Sequence, residues 1–240
     1  MIAIVDYGVG NLHSIGKVLE RFSEVRITRS PLELTKAEKI VLPGVGAFFD
    51  AVSSLKTASI FNLLQELAKT KPILGICLGM QLLFSESTEG ERTQGLDIIK
   101  GTVRRFEGEM KIPHIGWNTI EFAGNPLFSE STEGERTQGL DLIKGTVRRF
   151  EGEMKIPHIG WNTIEFADHR LLSGISNKSY FYFVHSYYAD CLEDVTIART
   201  SYSDFSFSSV VAKGNIFGCQ FHPEKSGGLG LKLLENFANL

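Results

Sequence analysis

The sequence predicts an α/β fold: a central, mostly parallel sheet flanked by helices, with an added antiparallel part. Three observations lead there. Short strand candidates (the apolar runs Met1–Asp6 and Ile73–Ile76, with Val25–Thr28 and Lys39–Leu42) alternate with helix-spaced segments. Glycine-bearing loops follow several of these runs directly, where α/β proteins place ligands. Toward the C-terminus the strand candidates come in succession, and the last two flank Gly214 as a hairpin would.

With 240 residues, 42% of them hydrophobic, and a net charge of −3, the chain reads as one soluble globular domain spanning 1–240. No basic surplus points to nucleic acid as the main partner. No apolar run is long enough to span a bilayer, and MIAIVDYG lacks the basic start of a signal peptide, so a cytoplasmic protein is expected. Cys77, Cys191 and Cys219 form no CxxC pair, which argues against a disulfide framework or structural zinc and fits a reducing compartment.

In order, Met1–Asp6 is the expected first strand, and the loop Tyr7-Gly-Val-Gly10-Asn11 leads into helical spacing over Leu12–Phe22. Strand, loop and helix suggest a dinucleotide site, but His13 stands where the third glycine of GxGxxG belongs. A P-loop fails as well, since Val18 follows Lys17 where Ser or Thr is needed. The strand Lys39–Leu42 runs into Pro43-Gly44-Val45-Gly46, a loop whose amides are able to face a developing oxyanion. Ala47–Leu67 is helical, in one or two pieces.

After the strand Ile73–Ile76, helical spacing resumes over Leu78–Phe84, and Gly75-Ile-Cys77-Leu-Gly79 lies between the two. This is the glycine-x-nucleophile-x-glycine elbow with cysteine as nucleophile. Read alone, Cys77 is equally a small buried core residue.

Leu83–Ala123 then recurs as Leu127–Ala167, shifted by 44 residues and differing only at Ile98 against Leu142. Repeat architectures need several diverged units to bury a continuous face, so two near-identical copies read as a tandem duplication. Each copy holds LFSES, read as a helix end, then strand-like GTVRRF and KIPHIGWNTIEF. One copy is expected outside the native slot. Copy one continues from the Cys77 helix, whereas Pro126 precedes copy two, so copy one is expected in place and roughly residues 130–173 outside it.

Asp168–Lys178 reads as a loop with a helical turn, Ser179–Tyr188 as one aromatic strand, and Val195–Thr200 as another. The hairpin strands Phe207–Lys213 and Asn215–Phe221 lead to His222-Pro223-Glu224-Lys225-Ser226 and a last helix, Gly230–Asn239. A thiolate nucleophile needs a base, and the base an orienting group. His222 and Glu224, two residues apart at a strand end, lie on one face and suit those roles. His185 is read as lining a pocket.

Together DYGVGNLHS, LPGVGAF, GICLGMQLLF, PHIGWN, YFYFVHSYY and FHPEKS resemble the class I glutamine amidotransferases, which share a flavodoxin-like fold. Within that family the likeness is to the glutaminase subunits of imidazole glycerol phosphate synthase, and it spans nearly the whole chain apart from one repeat copy. The resemblance implies a glutaminase of histidine biosynthesis with Cys77 as nucleophile, His222 as base and acid, and Glu224 orienting it. It implies an oxyanion hole from Val45, Gly46 and Leu78, and glutamine contacts at Gly44, Gln81, Glu89, Ser186 and Tyr187. It implies a heterodimer with the cyclase subunit through Asn11, Trp117, Asn118, Trp161, Asn162, Tyr182 and Lys225. No nucleotide, metal or other cofactor is implied for this chain. Related amidotransferases feed ammonia to sugar-modifying enzymes of surface-polysaccharide synthesis, which leaves that acceptor as the alternative. A catalytically silent scaffold, blocked by the duplication, is the reading from another class.

Overall fold

Four-residue strands build the front of a parallel sheet: β1 (Ile2–Val5), β2 (Val25–Thr28), β3 (Lys39–Leu42) and β4 (Ile73–Ile76), of which β2 is the half-exposed edge. Between them lie α1 (Leu12–Leu19), α2 (Pro31–Lys36), α3 (Phe48–Thr57) and α4 (Phe61–Ala68). The computed structural model describes residues 1–87, 93–105, 157–189, 191, 194–202 and 205–240. After β4 come α5 (Leu78–Leu82), β5 (Phe84–Ser87), β6 (Thr93–Gln94) and β7 (Ile99–Arg105). The remainder is β8 (His158–Phe166), β9 (Ser179–His185), β10 (Tyr187–Ala189), β11 (Thr196–Tyr202), β12 (Phe205–Lys213), β13 (Ile216–Cys219) and α6 (Gly227–Ala238).

A nine-stranded sheet runs in the order β2-β1-β3-β4-β13-β12-β11-β8-β9, and a smaller sheet in the order β10-β7-β5-β6. From β2 to β13 all neighbours are parallel; from β13 to β9 all are antiparallel. The parallel half has the flavodoxin-like order, which puts ligands at the carboxyl ends of its strands.

Strand alternation splits the core into two layers. Ala3, Val5, Ile40, Leu42 and Ile73 pack with Leu34, Phe48, Leu55 and Leu64 of α2, α3 and α4. Ile2, Ile4, Val41, Leu74 and Ile76 face the other way, onto Ile15 and Leu19 of α1 and Leu233, Leu234 and Phe237 of α6. With both faces covered, β1 and β4 are buried at every position. Among the described residues, no helix is long and apolar enough to cross a membrane.

Three sequence expectations need correction. The helical spacing over Leu78–Phe84 ends at Leu82, and LFSES is not a helix end: Phe84–Ser87 is a fully buried strand between β7 and β6. Tertiary pairing outweighs local spacing there. The aromatic segment Ser179–Tyr188 is two strands, broken at Ser186, because β9 pairs with β8 in the large sheet and β10 with β7 in the small one.

The third correction concerns the duplication. His158–Phe166, expected outside the slot, is β8, paired with β9 from His158↔His185 to Ile164↔Ser179. The described parts of the slot are therefore composite. Copy one supplies β5, β6 and β7, next to α5; copy two supplies β8, next to the segment leading into β9. Each piece comes from the copy covalently nearer its neighbours, so the added length of sequence falls between β7 and β8.

Candidate active site

The β4–α5 elbow forms because Gly75 and Gly79 have no side chains. A Cβ at Gly79 would collide with the carbonyl of Leu42, and one at Gly75 would lie 2.6 Å from Met80 Cα. The close fit seats the elbow on the end of β3. Cys77 sits at the apex with φ +52°, a backbone region costly for a residue with a Cβ and found where function over-determines it.

Register carries the rest of the site to Cys77. Cys219 is level with Ile76 in the β13–β4 pair, and Cys77 N donates to Cys219 O at 2.9 Å. The chain leaving β13 thus runs past the elbow. Gln220 Nε2 reaches Cys77 Sγ at 3.7 Å, and the His222 ring lies near enough to Cys77 for the sulfur to act on its protonation. His222 Nδ1 is 2.9 Å from Glu224 Oε1, and both side chains are buried. Burial opposes a charge on His222. The Cys77 sulfur and then the Glu224 carboxylate more than offset it, so the imidazole is pushed up to about 10. This fits an imidazolium held between sulfur and carboxylate at neutral pH.

The loop Pro43–Gly46 lies against the elbow: a Cβ at Gly44 would meet Gly79 N and Leu78 Cβ, both at 3.0 Å. Tyr7 Oη donates to the Pro43 carbonyl beneath it. Burial, with the nearby Cys77 charge, drives the Tyr7 phenol upward, so it stays a neutral donor. Val45 is exposed and Gly46 has φ +103°. The amides at Val45 and Gly46 thus belong to a loop seated beside Leu78, the first residue of α5.

Of the residues expected to contact glutamine, Gln81 is buried and donates through Nε2 to Gln220 Oε1 at 3.3 Å and Tyr187 O at 3.4 Å. Ser186 and Tyr187 are half-buried at the break between β9 and β10, and Val184 O lies 3.7 Å from Cys77 Sγ. Glu89 lies outside the described residues.

Of the residues expected at the partner surface, Trp161 is 42% exposed, its ring 6.0 Å from Tyr182. Lys225 Nζ lies 5.8 Å over the other partner of Trp161, the Tyr182 ring. Asn11 caps α1, accepting from Ser14 N at 3.4 Å, and is exposed. Asn162 needs correction: it is fully buried, and its amide donates to Ser201 O at 3.0 Å. Alternation along β8 points it inward when Trp161 points outward. Trp117 and Asn118 lie outside the described residues.

Three neighbours of the site were missed from sequence. Gln220 had a signal, since a period of two sets it on the side of His222. Tyr7 and His158 had none. His158 lies 27 positions from His185 in sequence, yet their ring nitrogens are 2.9 Å apart.

A buried thiol, imidazole and carboxylate in one row beside a glycine loop suit cleavage of an acyl bond through a covalent thioester. The family model for glutamine amidotransferase class I matches residues 3–239, and the chain belongs to that family. It is 42% identical, over 243 aligned residues, to the imidazole glycerol phosphate synthase subunit HisH of Methanosarcina barkeri, covering 100% of this chain and 98% of that one. To the protein of the same name from Methanocaldococcus jannaschii it is 40% identical over 242 aligned residues, covering 100% of both. A crystal structure of a glutamine amidotransferase superposes with a TM-score of 0.65 at 14% identity over 100% of both chains, a likeness of fold.

Proposed function

We propose that this chain is the glutaminase subunit of imidazole glycerol phosphate synthase in histidine biosynthesis. It hydrolyses glutamine to glutamate and ammonia and passes the ammonia to a cyclase subunit in a heterodimer. Identity of about 40% to subunits of that name over the whole chain supports the assignment. The observation that carries the chemistry is the Cys77–His222–Glu224 row.

In this reading the Cys77 thiolate attacks the side-chain carbonyl carbon of glutamine. The amides of Leu78 and the Val45–Gly46 segment receive the oxyanion. His222, already protonated, gives its proton to the departing nitrogen, and ammonia leaves a glutamyl thioester. His222 then takes a proton from water as the water attacks the thioester. Glutamate leaves and the thiolate returns. Glu224 holds His222 by Nδ1 throughout, which aims Nε2 at the sulfur.

Gly44, Gln81, Glu89, Ser186 and Tyr187 form the glutamine side of the site. Asn11, Trp161, Tyr182 and Lys225 face the cyclase, with Asn162 supporting that face from within. The free thiols of Cys77, Cys191 and Cys219 fit a cytoplasmic setting. The test is glutamine hydrolysis by the chain with a cyclase subunit and its ribonucleotide ligand. Stimulated turnover that Cys77→Ala abolishes is expected; turnover surviving that substitution overturns the mechanism.

A further inference from the structure

The buried side of β8 carries polar groups that the mechanism above does not use. The Asn162 amide is oriented by its neighbours: Oδ1 accepts from Thr163 N at 2.7 Å, and Nδ2 donates to Ser201 O at 3.0 Å. Nδ2 also lies 3.3 Å from His158 Nε2, which must then offer a lone pair. The protonated nitrogen of His158 is therefore Nδ1, and it sits 2.9 Å from His185 Nε2. The far end gives the same answer. His185 Nδ1 faces the Tyr187 carbonyl at 2.8 Å, and a carbonyl only accepts, so Nδ1 carries the proton and Nε2 the lone pair.

The chain of contacts continues to the nucleophile. Tyr187 O also accepts from Gln81 Nε2 at 3.4 Å, the same nitrogen donates to Gln220 Oε1 at 3.3 Å, and Gln220 Nε2 reaches Cys77 Sγ at 3.7 Å. It begins one residue from Trp161, on the exposed face of the same strand.

We propose that Asn162, His158 and His185 are positioning residues, a buried relay of neutral imidazoles that fixes the Ser186–Tyr187 bend and, through Gln81 and Gln220, the Cys77 sulfur. Burial, reinforced by the neighbouring rings, holds both imidazoles neutral, His185 down to about 3 and His158 well below the ordinary value. A charged ring would place a proton where its neighbour's N–H needs a lone pair. The rings are also clamped by packing, since His158 stacks on Phe183 at 4.8 Å and tilts against Tyr202 at 4.2 Å. The relay sets geometry only; no proton crosses it.

The proposal rests on the glutaminase reading for its effect on turnover, but its chemistry is testable without activity. In the intact wild-type chain, long-range imidazole nitrogen NMR should show both rings neutral and protonated at Nδ1 at neutral pH. A ring protonated at Nε2, or charged, overturns the relay even if the chain proves to be no glutaminase. The functional arm uses the complex with the cyclase subunit. His158→Phe keeps a ring in the packed slot but breaks both hydrogen bonds; His158→Gln restores a donor and an acceptor. His158→Phe should lower kcat about tenfold and slow alkylation of Cys77, mapped by peptide mass, with His158→Gln recovering most of both. Equal kcat and alkylation in His158→Phe and wild type overturn the proposal, as does a His158→Gln as impaired as His158→Phe. If His158→Phe does not fold, the wild-type tautomers and Asn162→Leu decide it, the latter expected to shift the His158 Nε2 resonance and slow Cys77 alkylation.

Discussion

The His222 amide donates to the Tyr182 carbonyl at 2.9 Å, so the peptide bearing the active-site imidazole is tied to β9, whose Tyr182 packs against the exposed Trp161 of β8. Ser226 strengthens the tie: its Oγ donates to His222 O at 2.7 Å and accepts from Tyr182 N at 3.0 Å. Two segments distant in sequence share one buried hydroxyl.

Ser226→Ala removes both bonds and leaves a buried amide and carbonyl without that partner. The expected loss is about 1–3 kcal/mol in stability, read by urea denaturation. Glutamine turnover should fall with it through kcat, because His222 keeps only its own amide bond to Tyr182 while the glutamine contacts stay in place.

His222 is pushed up to about 10 against the pull of burial, and the Cys77 sulfur is the largest cause on the raising side. Cys77→Ser removes that sulfur and keeps the shape. The His222 titration should then move downward from about 10, followed by imidazole nitrogen NMR. An unmoved His222 would mean that Glu224 alone holds the proton.

Much of this site was legible in the sequence because its parts are local. The elbow needs two glycines at fixed spacing around Cys77, and His222 and Glu224 are two residues apart. The strands β2, β3 and β4 were read to the residue; β3 and β4 are apolar runs buried along nearly their whole length, while β2 is a half-exposed edge strand. What sequence could not give depends on pairing at a distance. The strand at Phe84–Ser87 exists only because β7 and β6 flank it. The break at Ser186 appears only when one segment serves two sheets. His158 and Asn162 were misjudged because β8 comes from copy two, and near-identical copies carry no local signal of which one a sheet will take.

Of the two repeat tryptophans, Trp161 is the one that β8 carries. Trp161 lies on β8 beside Tyr182, with Lys225 over the same tyrosine ring. Trp161→Ala should weaken binding to the cyclase subunit by about tenfold or more, as loss of an aromatic anchor does. Trp117→Ala should leave that affinity unchanged. Titration calorimetry on both variants checks the pair, and an effect that follows Trp117 instead would mean that copy one supplies this face in solution.

The buried imidazoles make the fold sensitive to acid, with a definite sign. Both His158 and His185 are held below the ordinary 6.5, first by burial, His185 down to about 3. Above 6.5 neither the folded nor the unfolded chain binds these protons, and the stability is fully present. As pH falls from 6.5 toward 3, the unfolded chain takes up protons that the folded chain refuses, so stability is lost. Each histidine contributes a slope of about 1.4 kcal/mol per pH unit in that window. His185→Gln deletes one titration. It should lower stability at neutral pH, where the His158 bond is disturbed, but flatten the decline on acidification by about that slope. Urea midpoints at several pH values between 7 and 4 measure it. Parallel declines in variant and wild type would show that His185 is charged within the fold.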